Sequence, residues 1–309
     1  MAKAAILGVG RVGAALAWQL ASEGLCGELV LADLDQAKAR AEAADLQHAL
    51  GYTGRRVRVR GGSYYDCADA DVCVLSVCAQ FPPNTPRLEM LDHAAAVIGR
   101  IVPSIMATDF AGVLLVVTDP VDLMTWLAQQ LSDLPDSRVL GAGTALDTAR
   151  LRAALAQTLD LAPAQVDAWV LGQHGGEPVI PWEQAAADGQ PLEAALAART
   201  GRSLDRDALC NTIAEVSYNL SEVKGAPVFG IAAAAAEIVR RILTGDRRPI
   251  PVSAMLHGEY GHRDVYVGVP AILGPGGVEK IVELPLSAAQ QARFDRTVRE
   301  LKDCLTDIS

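Results

Sequence analysis

The stretch Ala4-Ala-Ile-Leu-Gly-Val-Gly-Arg-Val-Gly13 decides the fold, because it joins a short apolar run to a glycine-rich turn. Residues 4–7 predict a buried strand, and residues 14–20, which follow the turn, have the composition of a helix. In this context the G-x-G-x-x-G spacing lets the backbone approach a pyrophosphate, and the helix N-terminus offers N–H donors and a positive dipole. The residues predicted to contact a dinucleotide are Gly8, Val9, Gly10, Arg11, Val12 and Gly13.

A second predicted strand, Glu28-Leu-Val-Leu-Ala32, ends at Asp33, twenty residues after Gly13. An acidic residue at this distance hydrogen-bonds the ribose hydroxyls of the adenosine and repels a 2′-phosphate. The pattern therefore predicts NAD as cofactor in preference to NADP. The alternative interpretation is a plain glycine turn followed by an aspartate that caps a helix.

Two segments further along the chain carry residue types suited to acid–base chemistry. In Gly143-Thr-Ala-Leu-Asp-Thr-Ala-Arg150, Asp147 and Arg150 lie three residues apart, so on a helix they share one face. His174 stands between glycines in Gly172-Gln-His-Gly-Gly176. A carboxylate can orient the imidazole and a guanidinium can bind a substrate carboxylate, which is what hydride transfer to a 2-oxo acid requires. The alternative is an exposed helix salt bridge and an unrelated loop histidine.

Composition limits the classes of function. The net charge of −10 argues against nucleic acid or an anionic membrane as a partner. Six cysteines without a C-x-x-C pair favour a reducing compartment, and no ligand cluster predicts a bound metal. No apolar run approaches the length that spans a bilayer, and Arg11 interrupts the apolar N-terminal stretch that imitates a signal peptide. We expect a cytoplasmic protein.

Short apolar runs alternate with helical patterns as far as about residue 140, which predicts βαβ units and a parallel sheet. After residue 142 the chain changes to Ala-rich helices and short β-rich pieces. The expected fold class is α/β, with a doubly wound parallel sheet in residues 1–142, the nucleotide-binding domain. An α+β catalytic domain would follow in residues 143–309.

Together these features resemble the lactate/malate dehydrogenase family over nearly the whole chain, and the lactate branch more closely than the malate branch. The resemblance implies a Rossmann nucleotide-binding domain and a homodimer or homotetramer. It is carried by the motifs already quoted and by Asp45-Leu-Gln-His48, Arg87-Leu-Glu-Met-Leu91, Thr118-Asp-Pro-Val-Asp122, Lys224-Gly-Ala226 and Gly268-Val-Pro270.

The resemblance implies that Cys78-Ala-Gln-Phe-Pro-Pro-Asn-Thr-Pro-Arg87 is the mobile loop that closes over substrate. Arg87 would then polarise the substrate carbonyl. Phe81 stands where the family reads the substrate side chain with Gln for lactate or Arg for malate, and a phenyl ring cannot pair a second carboxylate. Alternatively, Phe81 packs the loop shut. Further residues would line the cofactor cleft at the strand ends, namely Val77, Cys78, Ala79 and Thr118.

The chain departs from the family at three places near the expected substrate. Asp119 replaces an Asn that would lie beside both the nicotinamide and the substrate C2, next to a candidate cis peptide at Pro120. Pro227 replaces a Thr near the substrate side chain, which removes a hydroxyl and an N–H. Gln173 and Gly176 replace the Glu and Asp that flank the active-site histidine.

The resulting hypothesis is an NAD-dependent L-2-hydroxyacid dehydrogenase that transfers hydride reversibly between NADH and a monocarboxylic 2-oxo acid. His174 would exchange the proton, Asp147 would orient it, and Arg150 would bind the carboxylate. Phe81 and Pro227 would give the substrate side chain an apolar pocket. Two alternatives stay open: a related reductase of an imino acid, which Asp119 would suit, and a non-catalytic NAD-binding homologue.

Overall fold

The computed structural model describes residues 2–77, 87–201, 203–225 and 227–308. The strands are β1 (Lys3–Leu7), β2 (Glu28–Ala32), β3 (Arg58–Gly61), β4 (Val72–Leu75), β5 (Val113–Val116), β6 (Val139–Gly141), β7 (Val166–Asp167), β8 (Ala186–Ala187), β9 (Gln190–Pro191), β10 (Ile250–His257), β11 (Arg263–Gly274) and β12 (Gly277–Ile281). The helices are α1 (Arg11–Glu23), α2 (Gln36–Ala49), α3 (Arg87–Met106), α4 (Val121–Ser132), α5 (Ala145–Leu159), α6 (Leu192–Thr200), α7 (Arg206–Lys224), α8 (Val228–Thr244) and α9 (Ala288–Ile308).

The first six strands form a parallel sheet in the order β3-β2-β1-β4-β5-β6. The strand order reverses between β1 and β4, so the sheet is doubly wound and a crevice opens at this switch point. Leu7 pairs with Ala32 on one side and with Leu75 on the other, which places the carboxyl ends of three strands at one edge. The predicted fold class is confirmed, although the sequence analysis missed β3.

The second part of the chain extends the same sheet. β10 pairs antiparallel with β6 through Ser253 and Gly141, and β11 and β12 follow as antiparallel neighbours. A small antiparallel sheet of β7, β8 and β9 packs with α5 and α6 around a separate apolar cluster. Strands from before and after residue 142 belong to one sheet, so the sheet itself does not mark a domain boundary there. The division into domains 1–142 and 143–309 stays a prediction.

Burial follows from strand position. β1, β4 and β5 lie in the centre of the sheet and are buried along their whole length, as expected for strands covered on both faces. The peripheral strand β3 is partly exposed and carries two arginines among its four residues. None of the helices in the described ranges combines the length and the hydropathy that a bilayer crossing requires.

The glycine-rich turn after β1 is shaped by close backbone contacts. Gly8 has φ +93°, and a Cβ there would lie 2.5 Å from the carbonyl oxygen of Ser76. A Cβ on Gly13 would lie 2.0 Å from the carbonyl oxygen of Gly8. Gly10, the residue that caps α1, has open space in front of it. Gly13 therefore lets α1 pack against the end of β1 and Gly8 lets the turn approach the segment after β4, whereas Gly10 leaves room for a group from outside the chain.

These contacts predict different results for two glycine substitutions. Gly13→Ala should lower the free energy of unfolding by about 1–3 kcal/mol, because the new methyl group overlaps a backbone oxygen. Gly10→Ala should change it by less than about 1 kcal/mol, since φ −75° suits alanine and no atom lies nearby. Denaturant unfolding of both variants measures the difference. Equal losses of stability would contradict the packing role of Gly13.

Candidate active site

A cavity of about 620 Å³ opens beside the carboxyl end of β5. Its walls come from the segment after β5, the start of α5, the loop that carries His174, and the helices α7 and α8. The polar residues on its walls are Asp119, Asp147, Arg150, Gln173, His174 and Asn211. The structure therefore brings residues from distant parts of the chain to one cleft.

His174 and Asp147 face each other in this cavity. The imidazole Nδ1 lies 2.7 Å from Asp147 Oδ2, and Arg150 Nη1 donates to the other carboxylate oxygen over 3.3 Å. Asp147 is in the first turn of α5, where the helix dipole favours a negative charge, and Arg150 follows one turn later on the same face. Since Asp147 engages Nδ1, Nε2 is the imidazole nitrogen left for a substrate.

Backbone hydrogen bonds to β11 also hold the loop that carries His174. Gly172 and Gly268 of β11 exchange two N–H···O bonds of 2.9 Å each. A Cβ on Gly268 would lie 2.6 Å from the carbonyl oxygen of Gly172, so this close approach requires glycine. The imidazole is thus positioned by a rigid strand as well as by Asp147.

The surroundings of His174 stabilise its protonated form. Burial of the imidazole opposes protonation. The hydrogen bond to Asp147 and the charges of Asp147, Asp119 and Asp122 outweigh this effect and raise the pKa of His174 to about 9. At neutral pH the residue is therefore an imidazolium in the free protein.

Asp122 is a buried residue beside this site, and the sequence motif that contains it predicted no role for it. It is 2% exposed, and its carboxylate accepts the hydroxyl of Ser253 at 2.6 Å and the backbone N–H of His174 at 3.2 Å. Burial raises the pKa of Asp122 to about 6, although both hydrogen bonds oppose the shift. Asp122 lies in the first turn of a helix, which is also a typical position for an exposed aspartate. The local sequence therefore does not predict its burial.

The predicted cofactor residues that the structure describes lie around the crevice at the switch point of the sheet. Asp33 Oδ2 accepts the N–H of Val9 at 2.8 Å, which holds its carboxylate next to the glycine-rich turn. Thr118 donates its hydroxyl to the carbonyl oxygen of Val77 at 2.7 Å and joins the ends of two strands. The open space before Gly10 and the N-terminus of α1 suit a pyrophosphate, so these residues fit a dinucleotide.

The two substituted positions nearest the expected substrate both line the cavity. Asp119 is exposed and accepts the N–H of Val121 at 3.3 Å, and the peptide bond before Pro120 is cis as expected. Pro227 caps the N-terminus of α8 and forms part of the apolar wall.

Several predicted residues cannot be placed. Cys78, Ala79 and Phe81 lie outside the described residues, as does the side chain of Arg87, whose backbone begins α3. Most of the apolar wall was not predicted, because nothing in the local sequence relates its members. These residues are Leu146, Val170, Ile180, Ile213, Ile231 and Ala234.

The charge arrangement predicts a large effect of Asp147→Asn on its neighbour. The amide removes the charge and the carboxylate hydrogen bond, while burial of the imidazole persists. The pKa of His174 should therefore fall from about 9 towards its ordinary value, although the charges of Asp119 and Asp122 remain. Titration of the imidazole signals by NMR measures this change.

A second histidine–aspartate pair provides the matched control. His262 Nε2 lies 2.8 Å from Asp295 Oδ1. Asp295→Asn breaks that pair and should leave the pKa of His174 unchanged. An unaltered His174 titration in Asp147→Asn would contradict the assigned origin of the shift.

The comparisons with known proteins cover both parts of the chain. Residues 2–141 match the NAD binding domain of lactate/malate dehydrogenase, and residues 144–309 match the alpha/beta C-terminal domain of the same enzymes. The chain is 36% identical over 305 residues to L-lactate dehydrogenase 1 of Staphylococcus aureus strain JH9, covering 99% of this chain and 96% of that protein.

Solved structures give the same result. The minor L-lactate dehydrogenase of Enterococcus mundtii in its ligand-bound form matches with a TM-score of 0.94 and 34% identity, over 100% of this chain and 98% of that one. A lactate dehydrogenase from a Medee basin deep-sea metagenome library matches with a TM-score of 0.96 and 32% identity, over 99% and 98%. The chain therefore belongs to the lactate/malate dehydrogenase family, whose members are NAD-dependent oxidoreductases.

Proposed function

We propose that the protein is an L-2-hydroxyacid dehydrogenase that interconverts a monocarboxylic 2-oxo acid with an apolar side chain and the corresponding 2-hydroxy acid. The observation that carries the proposal is that His174, paired with Asp147, and Arg150 line one cavity whose remaining walls are largely apolar. The names of the similar proteins, two L-lactate dehydrogenases and one lactate dehydrogenase, support the reaction class.

Arg150 is the group that would bind the substrate carboxylate. Its guanidinium can form two parallel hydrogen bonds with a carboxylate, which fixes the orientation of the acid. Arg150 is the one arginine among the cavity-lining residues that the structure describes. A second carboxylate would find no cationic partner among those residues except His174, and an unpaired charge in a closed site costs several kcal/mol.

His174 is the proton donor in reduction. Bound NADH would supply the hydride that adds to C2, and the carbonyl oxygen takes its proton from the imidazole. Asp147 keeps Nδ1 engaged, so the proton leaves from Nε2, and the product is a hydroxyl group beside a neutral imidazole. In the reverse direction the neutral imidazole accepts the hydroxyl proton. By resemblance, Arg87 would stabilise the developing charge on oxygen.

The apolar wall favours a hydrophobic substrate side chain. Leu146, Ile231 and Ala234 face the cavity from α5 and α8, and Pro227 contributes a ring in place of a threonine hydroxyl. Burying each methylene group of a substrate against such a wall contributes up to about 0.8 kcal/mol.

A second candidate function rests on Asp119, whose carboxylate is exposed on the cavity wall. An ionised carboxylate accepts hydrogen bonds and repels an anionic 2-oxo acid, but it would attract a cationic or N–H-bearing group. A reductase of imino acids would use the same imidazole and guanidinium. A non-catalytic NAD-binding protein is the remaining alternative.

We further propose the two-domain division at residues 142 and 143, which the limits of the two family models at 141 and 144 support. A homodimer or homotetramer is proposed from the family resemblance. A reducing cytoplasmic location is supported by the free thiols of Cys67 and Cys73, whose Sγ atoms lie 3.9 Å apart.

The decisive experiment is NADH oxidation with a series of 2-oxo acids whose side chains grow from methyl to branched and aromatic groups. The best apolar monocarboxylate should exceed oxaloacetate in kcat/KM by at least about hundredfold, because the distal carboxylate stays unpaired. Phe81→Arg should raise oxaloacetate turnover, since a new guanidinium can pair that group. Preference of the unmodified protein for oxaloacetate over every monocarboxylate would refute the apolar pocket.

The same assay with added ammonium or methylamine separates the alternatives. A rate that requires the amine, and that Asp119→Asn removes while NADH still binds, would favour the imino acid reductase. NADH binding without turnover under all conditions would indicate the non-catalytic homologue.

Cofactor choice provides an independent prediction. NADH should bind at least about hundredfold more tightly than NADPH, because a 2′-phosphate would face the Asp33 carboxylate, and juxtaposed like charges cost several kcal/mol. Asp33→Asn removes the charge but keeps an oxygen for the N–H of Val9, so the preference should shrink. Asp35→Asn, at the N-cap of α2, is the control and should leave the ratio unchanged. Fluorescence titrations giving equal affinities for the wild type would refute the role of Asp33.

A further inference from the structure

Arg11, within the glycine-rich turn, reaches across the molecule to the junction of α7 and α8. Its Nη1 donates to the carbonyl oxygen of Lys224 over 3.0 Å, a contact between residues 213 positions apart. A Cβ on Gly225 would lie 3.3 Å from Arg11 Nη2, so the guanidinium lies directly against the junction. The carbonyl it binds belongs to the last residue of α7, where the helix dipole favours a cation.

The two ends of α7 are held differently. Near its N-terminus, Leu209 and Ile213 pack on the apolar cluster of the second part, and Arg206 pairs with Glu183 and Glu193 at 3.6 and 3.1 Å. None of the described side chains of α7 is buried.

Towards the C-terminus of α7 two apolar side chains are exposed to solvent, whereas Leu220 is half-buried. Val216 is 49% exposed and Val223 is 88% exposed. Among the described residues, the hydrogen bond from Arg11 to Lys224 is the one hydrogen bond that links the C-terminal end of α7 to a distant part of the chain.

This junction borders the substrate cavity. Pro227, three residues after Lys224, lines the cavity, and so do Ile213 and Ala214 of α7 and Ile231 of α8. Ile213 and Ala214 belong to the helix whose C-terminal end Arg11 contacts, and Pro227 directly follows the junction, so a displacement of the junction would change the position of these wall residues.

We propose that Arg11 is a positioning residue for the substrate reaction: it holds the α7–α8 junction against the cofactor-binding turn and thereby sets the wall that receives the substrate side chain. The proposal rests on the proposed function for the identity of the substrate. The contact between Arg11 and the junction is independent of that function.

Kinetics of Arg11→Ala test the consequence for substrate. We expect KM for the preferred 2-oxo acid to rise about five- to tenfold, with kcat changed less than twofold. The Kd of NADH should rise less than threefold, because the Arg11 guanidinium binds the Lys224 carbonyl oxygen and the predicted dinucleotide contact then falls to the backbone of the turn. Arg11→Lys should recover part of the loss, because an ammonium group can donate to the same carbonyl. An unchanged KM, or a loss confined to the Kd of NADH, would overturn the proposal.

Hydrogen exchange tests the contact without any substrate. In Arg11→Ala, the backbone amides of residues 216–225 should exchange about three- to tenfold faster, the effect of losing one hydrogen bond, while those of 206–212 and of α8 beyond its first turn keep wild-type rates. Lys224→Met is the matched comparison, because it keeps the carbonyl acceptor and removes the ammonium group that lies 4.1 Å from the centre of the Phe229 ring, so exchange in 216–225 should rise less than in Arg11→Ala.

The two measurements separate the possible failures. If no 2-oxo acid is turned over, the proposed function fails while the exchange data still test the role of Arg11. If Arg11→Ala leaves exchange in residues 216–225 unchanged, Arg11 does not hold the junction and the proposal is wrong.

Discussion

The carboxylate of Asp122 is almost completely removed from water and must find its hydrogen-bond donors inside the protein. An unsatisfied buried carboxylate would cost several kcal/mol, and Asp122 avoids this through the hydroxyl of Ser253 and the backbone N–H of His174. Asp122 belongs to α4, which follows the parallel sheet, whereas its two donors come from β10 and from the histidine loop. One buried charge thus joins the two parts of the chain at the position of the imidazole.

The electrostatics of the cavity follow from the same arrangement. Asp147, Asp122 and Asp119 all favour the protonated form of His174, so the free site presents an imidazolium beside the guanidinium of Arg150. These two cations are what an anionic substrate meets. The Asp119 carboxylate on the cavity wall would repel the same anion, so this residue bears on the choice between a carbonyl and an imino substrate.

Glycines make these contacts geometrically feasible. Gly13 allows α1 to approach β1, and Gly268 allows the histidine loop to approach β11, because a Cβ at either position would overlap a backbone oxygen. Gly225 has φ +81° and lies against the guanidinium of Arg11, so the junction of α7 and α8 can turn beside the cofactor crevice. Glycines therefore permit close contacts at the glycine-rich turn, at the histidine loop and at the junction of α7 and α8.

Local patterns in the sequence determined the cofactor turn with Asp33, the central parallel strands, and the set of His174, Asp147 and Arg150. Glycine spacing, apolar runs and residues one helical turn apart are readable without knowledge of the rest of the chain. The tertiary structure decided what depends on distant segments: the attachment of β10 to β6, the apolar cavity wall and the burial of Asp122. The strand β3 was missed because it is charged and lies at the sheet edge, where burial does not impose an apolar pattern. Such features have no local signature, because contact and exclusion of water are set by how the elements pack together.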